Sequence, residues 1–415
     1  MNTSGPPRLF SAFGIELEYM IVGTRSLAVR PIADQVLRDA AGQVVSDVAR
    51  GALAWSNELV LHLVEIKTSR PAPTLDGLAA AFQTEVGALD QVLAPWEART
   101  MPTGMHPWMQ PREETRLWPH AAGEIYRAFD RVFDCRQHGW ANLQSMHLNL
   151  PFGDDREFAR LHAATRLLLP LLPALAASSP IREGQITPAL DHRLESYRTN
   201  ASHLPSITGR VIPEPVFSRE EYETTILRRI YDDIAPFDPQ GLLQDEFLNA
   251  RGAIPRFERG SLEIRLLDLQ ECPLADIAIA AAVVAVLRAL VQERWADFAS
   301  QCAFATTPLE ALLRATVAEA GEAKITDAAY LRALGAGHRG CLSAAQLWRH
   351  LLSAVPLPET ADRGRWEQAL DCILEHGCLA HRILRALQGS PAPVRLRETY
   401  RRLCDCLATG SLFTG

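Results

Sequence analysis

Three short segments, far apart in the sequence, each place two polar side chains on one face of a predicted strand. They cover residues 13–19, 146–150 and 260–266, and each alternates polar with apolar residues. Since successive side chains of a strand point to opposite faces, each polar pair shares a face. The pairs are Glu16 with Glu18, His147 with Asn149, and Glu263 with Arg265. In one sheet, these side chains would form a surface suited to divalent cations and phosphate groups.

The same alternation is typical of any antiparallel strand with one face in water. A single strand of this kind therefore predicts only a half-solvated sheet. Together, however, the three polar faces carry carboxylates, a histidine and an arginine but no lysine. That combination favours a binding surface for cations and phosphate over ordinary solvated strands.

A fourth segment, residues 55–68, carries two more carboxylates. Glu58 and Glu65 are seven residues apart, an odd separation that sends them to opposite faces of one straight strand. Either only one of them faces the predicted site, or a bulge or bend between them brings both to one side. Taken alone, the two are also typical of carboxylates at the rim of a sheet.

The composition and charge pattern argue against several classes of partner. The chain has 415 residues and a net charge of −7, with acidic and basic residues mixed along it, so no basic stripe predicts a nucleic-acid or membrane partner.

The N-terminal residues lack the basic-then-apolar order of a secretory signal peptide. The strongest apolar run, 277–291, contains Arg288 and is shorter than the ~20 residues of a membrane span, so it predicts a buried helix. We therefore expect a cytoplasmic protein.

The cysteines predict neither disulfides nor a common metal motif. All eight lack a regular spacing, which indicates reduced thiols in a chain of this size. Cys372, His376, Cys378 and His381 lie within ten residues, and a zinc site is one hypothesis for them. Their spacing differs from that of common zinc motifs, and the leucines and isoleucines around them favour a helix with buried cysteines.

Apolar residues at helical spacing predict most of the remaining structure. The predicted helices cover 74–98, 113–135, 154–177 with interruptions at Pro170 and Pro173, 275–297, 308–320, 343–354, 364–388 and 394–408. Residues 180–218, rich in Pro, Ser, Thr and Gly, predict a long loop. The predicted strand segments are too far apart for parallel βαβ winding and carry no Gly-x-Gly-x-x-Gly or Walker-type motif, which argues against Rossmann and P-loop sites. The predicted fold class is α+β, an antiparallel sheet with helices on one face.

An ordered series of motifs resembles a known family. The series consists of Gly14-Ile-Glu-Leu-Glu18, the Glu58 and Glu65 pair, His147 in Met-His-Leu-Asn, Ala177-Ser-Ser-Pro180, and Gly260-Ser-Leu-Glu-Ile-Arg265 followed by Asp268. It resembles the glutamate-cysteine ligase superfamily and, within it, the bacterial second-type carboxylate-amine ligases. The resemblance depends on the order of the motifs, which run from about residue 10 to about residue 295.

The resemblance implies a glutamine-synthetase-like antiparallel sheet forming an open funnel, with helices on its outer face and an additional C-terminal helical region. It divides the chain into a catalytic core, 8–295, and a helical region packed on it, 296–415. It implies ATP and two or three Mg²⁺ ions on the polar face, with Mn²⁺ also suited to a site containing a histidine. The implied metal ligands are Glu16, Glu18, Glu58, Glu65, His147 and Glu263.

The same resemblance implies catalytic roles for Glu263 and Arg265, with Arg265 near the γ-phosphate of ATP. Asn149 lies where many relatives carry another polar residue and is assigned to the nucleotide site. Making an amide from a carboxylate in water requires activation, which ATP supplies by forming an acyl phosphate. Cations held by carboxylates, with an arginine beside them, would neutralise the repulsion between phosphate and carboxylate.

Four further arginines are candidates for anion contacts. Arg256 and Arg259 precede the last motif strand and are within reach of nucleotide phosphates. In the predicted loop, Arg193 and Arg198 are candidates for a two-pronged contact with an amino-acid carboxylate. Surface ion pairs explain any of these four equally well.

We therefore predict an ATP- and Mg²⁺-dependent ligase that joins the γ-carboxyl of glutamate to cysteine or a related amine. A specialised ligase that uses another amino acid, a peptide or a pathway intermediate as acceptor is an alternative. A guanidino-kinase-like phosphotransferase and a non-catalytic relative are alternatives from other classes. The predicted partners are small molecules, and homo-oligomer formation is left open.

Overall fold

The computed structural model describes residues 7–415, and its strands form one large antiparallel sheet and two small two-stranded sheets. The strands are β1 Gly14–Gly23, β2 Asp47–Arg50, β3 Leu53–Asn57, β4 Leu63–Thr68, β5 Ala98–Met101, β6 Ser145–Pro151, β7 Ile181–Arg182, β8 Gln185–Ile186, β9 Ala253–Arg256, β10 Ser261–Asp268, β11 Lys324–Ile325 and β12 Leu342–Ser343. Across the large sheet the order is β2, β3, β4, β1, β6, β10 and β9, and β5 pairs with the second half of β1. The sheet is therefore open.

The three polar segments found in the sequence are neighbouring strands of this sheet. β1 pairs with β6 over its first residues, and β6 pairs with β10. The prediction that the three share one sheet is therefore confirmed. β4 flanks β1 on its other side, so side chains from four strands reach one polar face.

The helices lie mainly on the other side of the sheet and in the C-terminal part of the chain. They are α1 Ala33–Val36, α2 Leu78–Leu93, α3 Pro111–Glu114, α4 Gly123–Phe133, α5 His138–Ala141, α6 Asp155–Leu168, α7 Pro173–Ala176, α8 His192–Thr199, α9 Pro205–Thr208, α10 Arg219–Tyr222, α11 Arg228–Ile234, α12 Pro273–Val291, α13 Phe298–Cys302, α14 Thr306–Glu319, α15 Ala328–Ala333, α16 Ala344–Ala354, α17 Arg363–His376, α18 Leu379–Leu387 and α19 Pro393–Thr409. This arrangement confirms the predicted α+β class.

The apolar face of the sheet forms the core with α2, α6 and α12, and α2 and α6 each pack on α12. Leu17 of β1, Leu148 of β6 and Ile264 of β10 are at most 1% exposed. Burying each such side chain contributes roughly 1.5–3 kcal/mol. The alternation of apolar residues therefore determines which face of each strand turns inward, and the polar face is left to form the site.

One predicted loop contains a helix. Residues 180–218 were expected to lack regular structure, but α8 occupies 192–199, so the prediction is wrong there. The Oδ1 atom of Asp191 accepts a hydrogen bond of 3.0 Å from the backbone N–H of Leu194 and caps the first turn. An aspartate at this position stabilises a helix start, a signal that the loop-like composition of the segment obscures.

The predicted helix over 364–388 is two helices, α17 and α18. Gly377 ends the first with a φ of +81°, and a Cβ atom there would lie 2.8 Å from the Cβ of His381. Only glycine adopts this backbone conformation without strain at so close a contact. The interruptions at Pro170 and Pro173 are confirmed, since α6 ends at Leu168 and α7 begins at Pro173.

Helix α12 confirms the prediction of a buried helix. By length and composition it could cross a membrane, but 83% of its most apolar 18-residue stretch is buried inside the protein. Its alanines allow α2, α6 and α17 to approach it closely. The apolar run therefore belongs to the core.

The C-terminal helices pack on the first part of the chain: α17 on α12, and α19 on α2 and β5. Arg382 and Glu271 form a fully buried ion pair between the two parts.

The hypothesis of a zinc site concerned Cys372, His376, Cys378 and His381. Cys378 Sγ lies 3.3 Å from Nδ1 of His381, and within residues 7–415 no third ligand completes a metal group around this pair. The division of the chain at residue 295 stays a prediction.

The stability of this fold is expected to fall in mild acid because of His162 on α6. Burial and the charge of Arg166 lower the pKa of His162 from 6.5 to about 3. Because the folded-state pKa lies below the unfolded value, the contribution of this histidine is complete above pH 6.5 and is lost as the pH falls toward 3. At pH 5 the loss is about 2 kcal/mol.

Urea unfolding at pH 5 and pH 7.5 measures this effect. The His162→Phe variant should lose less stability between the two pH values than the wild type. Its ring can keep the stacking contact with Phe158, whose centroid lies 5.2 Å from that of His162. The exposed His203→Phe variant is the control, and an equal pH dependence in wild type and His162→Phe would contradict the prediction.

Candidate active site

Four adjacent strands place their charged side chains on the same side of the sheet. The register pairs Glu18 with Glu65, Glu16 with His147, and Glu263 with Asn149. Because directly opposed residues of antiparallel strands point to the same face, the six side chains form one polar row. The structure thus brings together most of the site residues predicted from the sequence.

His147 lies at the centre of the row. Its Nδ1 is 3.0 Å from Glu16 Oε2 and 3.8 Å from Glu263 Oε1, and its Nε2 is 3.8 Å from Glu18 Oε1. Burial opposes its charge, but the hydrogen bond with Glu16 and the charge of Glu18 outweigh burial and raise the pKa of His147. Ser145 Oγ lies 3.0 Å from Nε2 of His147 and donates to Glu18 over 2.7 Å.

The crowding of carboxylates in the row fits a divalent cation. Glu16, Glu65 and His147 each offer one ligand atom, and these atoms lie within 4.8 Å of one another. Burial and the charge of Glu16 raise the pKa of Glu65 to about 7. Although burial acts in the opposite direction, the hydrogen bond and charge of His147 lower the pKa of Glu16 to about 2. Carboxylate oxygens are ligands that Mg²⁺ prefers, and a bound cation would relieve the repulsion between these carboxylates.

Glu58 reaches the same cluster because the 55–68 segment is a hairpin. β3 ends at Asn57 and β4 begins at Leu63, so Glu58 lies in the connection and Glu65 on the second strand. Burial and the charges of Glu18 and Glu65 raise the pKa of Glu58 well above its usual value. The odd spacing allowed either one carboxylate at the site or a bend that brings both to it, and the structure shows the bend.

Two residues of the row were not predicted. Lys67 Nζ lies 3.1 Å from Glu65 Oε1 and 3.1 Å from Asp47 Oδ1, and these carboxylates raise the pKa of Lys67 although burial opposes its charge. Ser56 Oγ donates to Glu65 Oε1 over 2.6 Å. Since Lys67 is two residues after Glu65 on β4, strand alternation was the signal that could have found it.

Arg265, Arg256 and Asn149 lie beside the carboxylates. Arg265 Nε donates to Glu263 Oε1 over 3.0 Å, and Arg256 Nε lies 4.0 Å from Glu263 Oε2. Asn149 Nδ2 donates to Glu16 Oε1 over 3.1 Å. Cations therefore flank the acidic row at the β10 and β9 side of the sheet.

Asp268, at the end of β10, joins two of the motif segments. Its Oδ2 accepts hydrogen bonds from the Ser178 backbone N–H over 2.9 Å and from Ser179 Oγ over 2.7 Å. Its Oδ1 accepts a 2.5 Å bond from Nε of the buried Arg193. A Cβ atom on Gly104 would lie 2.5 Å from Asp268 Cγ, so the close packing requires glycine there. These contacts hold the end of β10 in position.

The remaining arginines predicted to bind anions have partners or lie apart from the row. Arg193 lines a cavity beside the row, but Asp268 already binds its Nε. Arg198 pairs with Glu195 one turn earlier on α8. Arg259 is exposed on the turn between β9 and β10. Their roles in substrate or phosphate binding stay predictions.

Two cavities lie near the row, one lined by residues of the row itself and the other by Arg256, which is 4.0 Å from Glu263 Oε2. The first, here called the aromatic cavity, has a volume of about 400 Å³, and its lining includes Glu18, Glu58, His147, Arg265, Tyr126, Phe129, Trp140 and Phe247. The second, here called the arginine cavity, has a volume of about 700 Å³, and its lining includes Arg228, Tyr231, Glu246, Arg256, Glu258 and Arg259. Arg256 pairs with Ser261 at the start of β10, whereas Arg265 lies in the second half of that strand.

Fold and site together define a protein with an open antiparallel sheet whose polar face gathers carboxylates near two cavities. The model of the family described as Glutamate-cysteine ligase family 2 (GCS2) matches residues 12–405. Because this match covers most of the chain, the protein belongs to glutamate-cysteine ligase family 2, as the motifs predicted. It is therefore a member of a family of carboxylate-amine ligases.

Curated relatives of this chain include one with a glutamate–cysteine ligase name. A protein of Archaeoglobus fulgidus, whose name states no function, is 38% identical over 263 residues, which cover 63% of this chain and 70% of the relative. A protein of Rubrobacter xylanophilus with the provisional name glutamate–cysteine ligase 2-3 is 27% identical over 272 residues, covering 65% of this chain and 66% of the relative. The chain thus spans about two thirds of each relative.

Solved structures share the fold at low sequence identity. The glutamate–cysteine ligase of Francisella tularensis, in complex with AMP, gives a TM-score of 0.60 at 13% identity, over 98% of this chain and 90% of that chain. A bifunctional glutathione synthetase from Pasteurella multocida gives a TM-score of 0.57 at 14% identity, over 97% of this chain and 52% of that chain. These similarities concern the fold.

Proposed function

We propose that this protein is an ATP- and Mg²⁺-dependent ligase that forms an amide through an acyl phosphate. The observation that carries the proposal is the convergence of Glu16, Glu65 and His147, which offer ligand atoms within 4.8 Å of one another beside Arg265. Such an acidic row fits reactants that are all negative and that need cations to approach each other.

The residues of the row have distinct parts in this proposal. Those that would hold Mg²⁺, or Mn²⁺ in its place, are Glu16, Glu18, Glu58, Glu65, His147 and Glu263. Bound Mg²⁺ would neutralise the charge on the phosphates and the carboxylate. Arg265, aligned by Glu263 and by the Tyr197 hydroxyl 3.5 Å from its NH1, would orient the phosphoryl group that moves.

We place the reactants by the linings of the two cavities. The arginine cavity carries Arg228, Arg256 and Arg259 together with five carboxylates, Glu223, Asp232, Asp245, Glu246 and Glu258. The arginines would contact the phosphates of a nucleotide, and Mg²⁺ would offset the nearby carboxylates. The carboxylate substrate then lies at the row, next to the phosphoryl group that it accepts. The amine attacks the carbonyl carbon from outside the plane of the acyl group, and we place it in the aromatic cavity, whose lining includes Glu18, His147 and Arg265.

The family name makes glutamate the first carboxylate to test and cysteine the first amine. The carboxylate attacks the γ-phosphorus of ATP, and ADP leaves. The amine nitrogen then attacks the acyl carbon, its proton is lost, and inorganic phosphate leaves. We place this reaction in the cytoplasm, with residues 8–295 as the catalytic core and 296–415 as its helical support.

Trapping with hydroxylamine tests the proposal without knowledge of the natural amine. Purified protein is given ATP, Mg²⁺, hydroxylamine and a pool of amino acids and dicarboxylates. An acyl phosphate reacts with hydroxylamine to give a hydroxamate and phosphate, so we expect hydroxamate that depends on ATP, Mg²⁺ and one carboxylate. Leaving out one carboxylate at a time, with mass spectrometry of the product, identifies the donor.

The other classes of function give different outcomes. A guanidino-kinase-like phosphotransferase would release ADP and leave a stable phosphorylated product without hydroxamate. A non-catalytic protein would release no ADP. EDTA should abolish hydroxamate formation, and excess Mg²⁺ should restore it. Hydroxamate formation that persists in EDTA would contradict the role of the acidic row.

A further inference from the structure

We propose that the amine acceptor of this protein carries an aromatic or similarly large apolar group, which the aromatic cavity binds. This inference rests on the proposed ligase function and specifies its substrate class. The acceptor of this protein would therefore be larger than that of a ligase that uses cysteine.

The wall of the aromatic cavity leaves ring surface uncovered inside the site. Phe129, Trp140 and Phe247 come from α4, α5 and a turn before β9, and each is only half-buried. The ring centroids of Phe129 and Trp140 are 5.5 Å apart, and those of Phe129 and Phe247 are 5.9 Å apart. Three rings in contact, open to a cavity, form a surface on which another ring or a branched alkyl group can pack.

The aromatic wall is continuous with the reactive face. Tyr126 lies one turn before Phe129 on α4, and its hydroxyl accepts a 3.0 Å hydrogen bond from Nδ2 of Asn57, the residue next to Glu58. Glu58 and Arg265 line the same cavity as the rings. A molecule with its apolar group on the rings would therefore place a polar end at the carboxylates.

The aromatic cavity is larger than a small acceptor would fill. Its volume of about 400 Å³ lies in the range of roughly 300–1,000 Å³ that accommodates drug-sized ligands. A cysteine side chain would leave most of the ring surface in contact with water. An acceptor that covers the rings gains the free energy of removing that surface from water.

Calorimetric titration of the full chain with amines tests the inference directly. In the presence of Mg²⁺ and ADP, 2-phenylethylamine should bind at least tenfold more tightly than ethylamine, and more tightly than cysteine. Equal binding of the three amines would overturn the proposal. Competition between ADP and 2-phenylethylamine would also overturn it, because it would place the adenine ring in the aromatic cavity.

Variants locate the binding site. Phe247→Ala, and separately Phe129→Ala, should reduce the preference for 2-phenylethylamine over ethylamine by at least fivefold. Phe237→Ala is the matched control, because Phe237 is 51% exposed and lies outside this cavity. A preference that survives both cavity substitutions would contradict the inference. The binding measurement is independent of hydroxamate formation, so failure of the amine preference and failure of the ligase proposal are distinguishable.

Discussion

Replacing Glu263 by Gln is expected to lower Mg²⁺-dependent ATP turnover by about 10³-fold or more while the protein stays folded. The side chain is 7% exposed and lies 3.0 Å from the guanidinium of Arg265, 3.8 Å from His147 and 4.0 Å from Arg256. Gln keeps the size of Glu but removes the negative charge that attracts a divalent cation. ADP release at saturating Mg²⁺ measures the loss, and circular dichroism verifies the fold.

Glu359→Gln is the control for this variant. Glu359 precedes α17, its side chain is 87% exposed, it pairs with Arg363 at the surface, and it lines neither cavity. Its replacement should leave turnover near the wild-type value. Turnover of Glu263→Gln equal to that of the control would exclude a role for Glu263 in metal binding.

Replacing Arg265 by Lys is expected to lower kcat/KM for ATP by about 10²–10³-fold. Lysine keeps the positive charge, but its ammonium is a point charge on a flexible chain. Arg265 holds a planar orientation because both Nε and NH2 lie 3.0 Å from Glu263 Oε1. The substitution should therefore impair the orientation of the phosphoryl group, and initial rates at varied ATP concentration measure the fall in kcat/KM.

Arg397→Lys is the matched control, since Arg397 is exposed on α19 and far from the acidic row. It should show wild-type kinetics. If Arg265→Lys behaved in the same way, Arg265 would be only a partner that neutralises Glu263, and its proposed contact with the phosphoryl group would be wrong.

Local patterns in the sequence were sufficient to predict the three strands β1, β6 and β10, which carry most of the site. Alternation along 13–19, 146–150 and 260–266 identified β1, β6 and β10 and the polar face of each, because the side-chain period of a strand is a local property. The helices of the C-terminal part followed from apolar periodicity in the same way. The motif order identified the family.

Three features were missed or left open. The sequence left open whether Glu58 faces the site, because the apolar residues between Glu58 and Glu65 continue a strand pattern through the turn. Helix α8 was taken for a loop because its composition is polar. Lys67 was overlooked although strand alternation puts it on the same face as Glu65, and the tertiary arrangement then places β4 beside β1.

The sequence by itself determined which side chains share a face of each strand and which residues are chemically able to bind cations and phosphate. The tertiary structure decided that Glu16 stands opposite His147, that Asp268 meets Ser178, Ser179 and Arg193, and that rings from three segments form one cavity. The physical reason is that strand order and register follow from burying apolar surface between segments far apart in the chain. No local pattern encodes that choice.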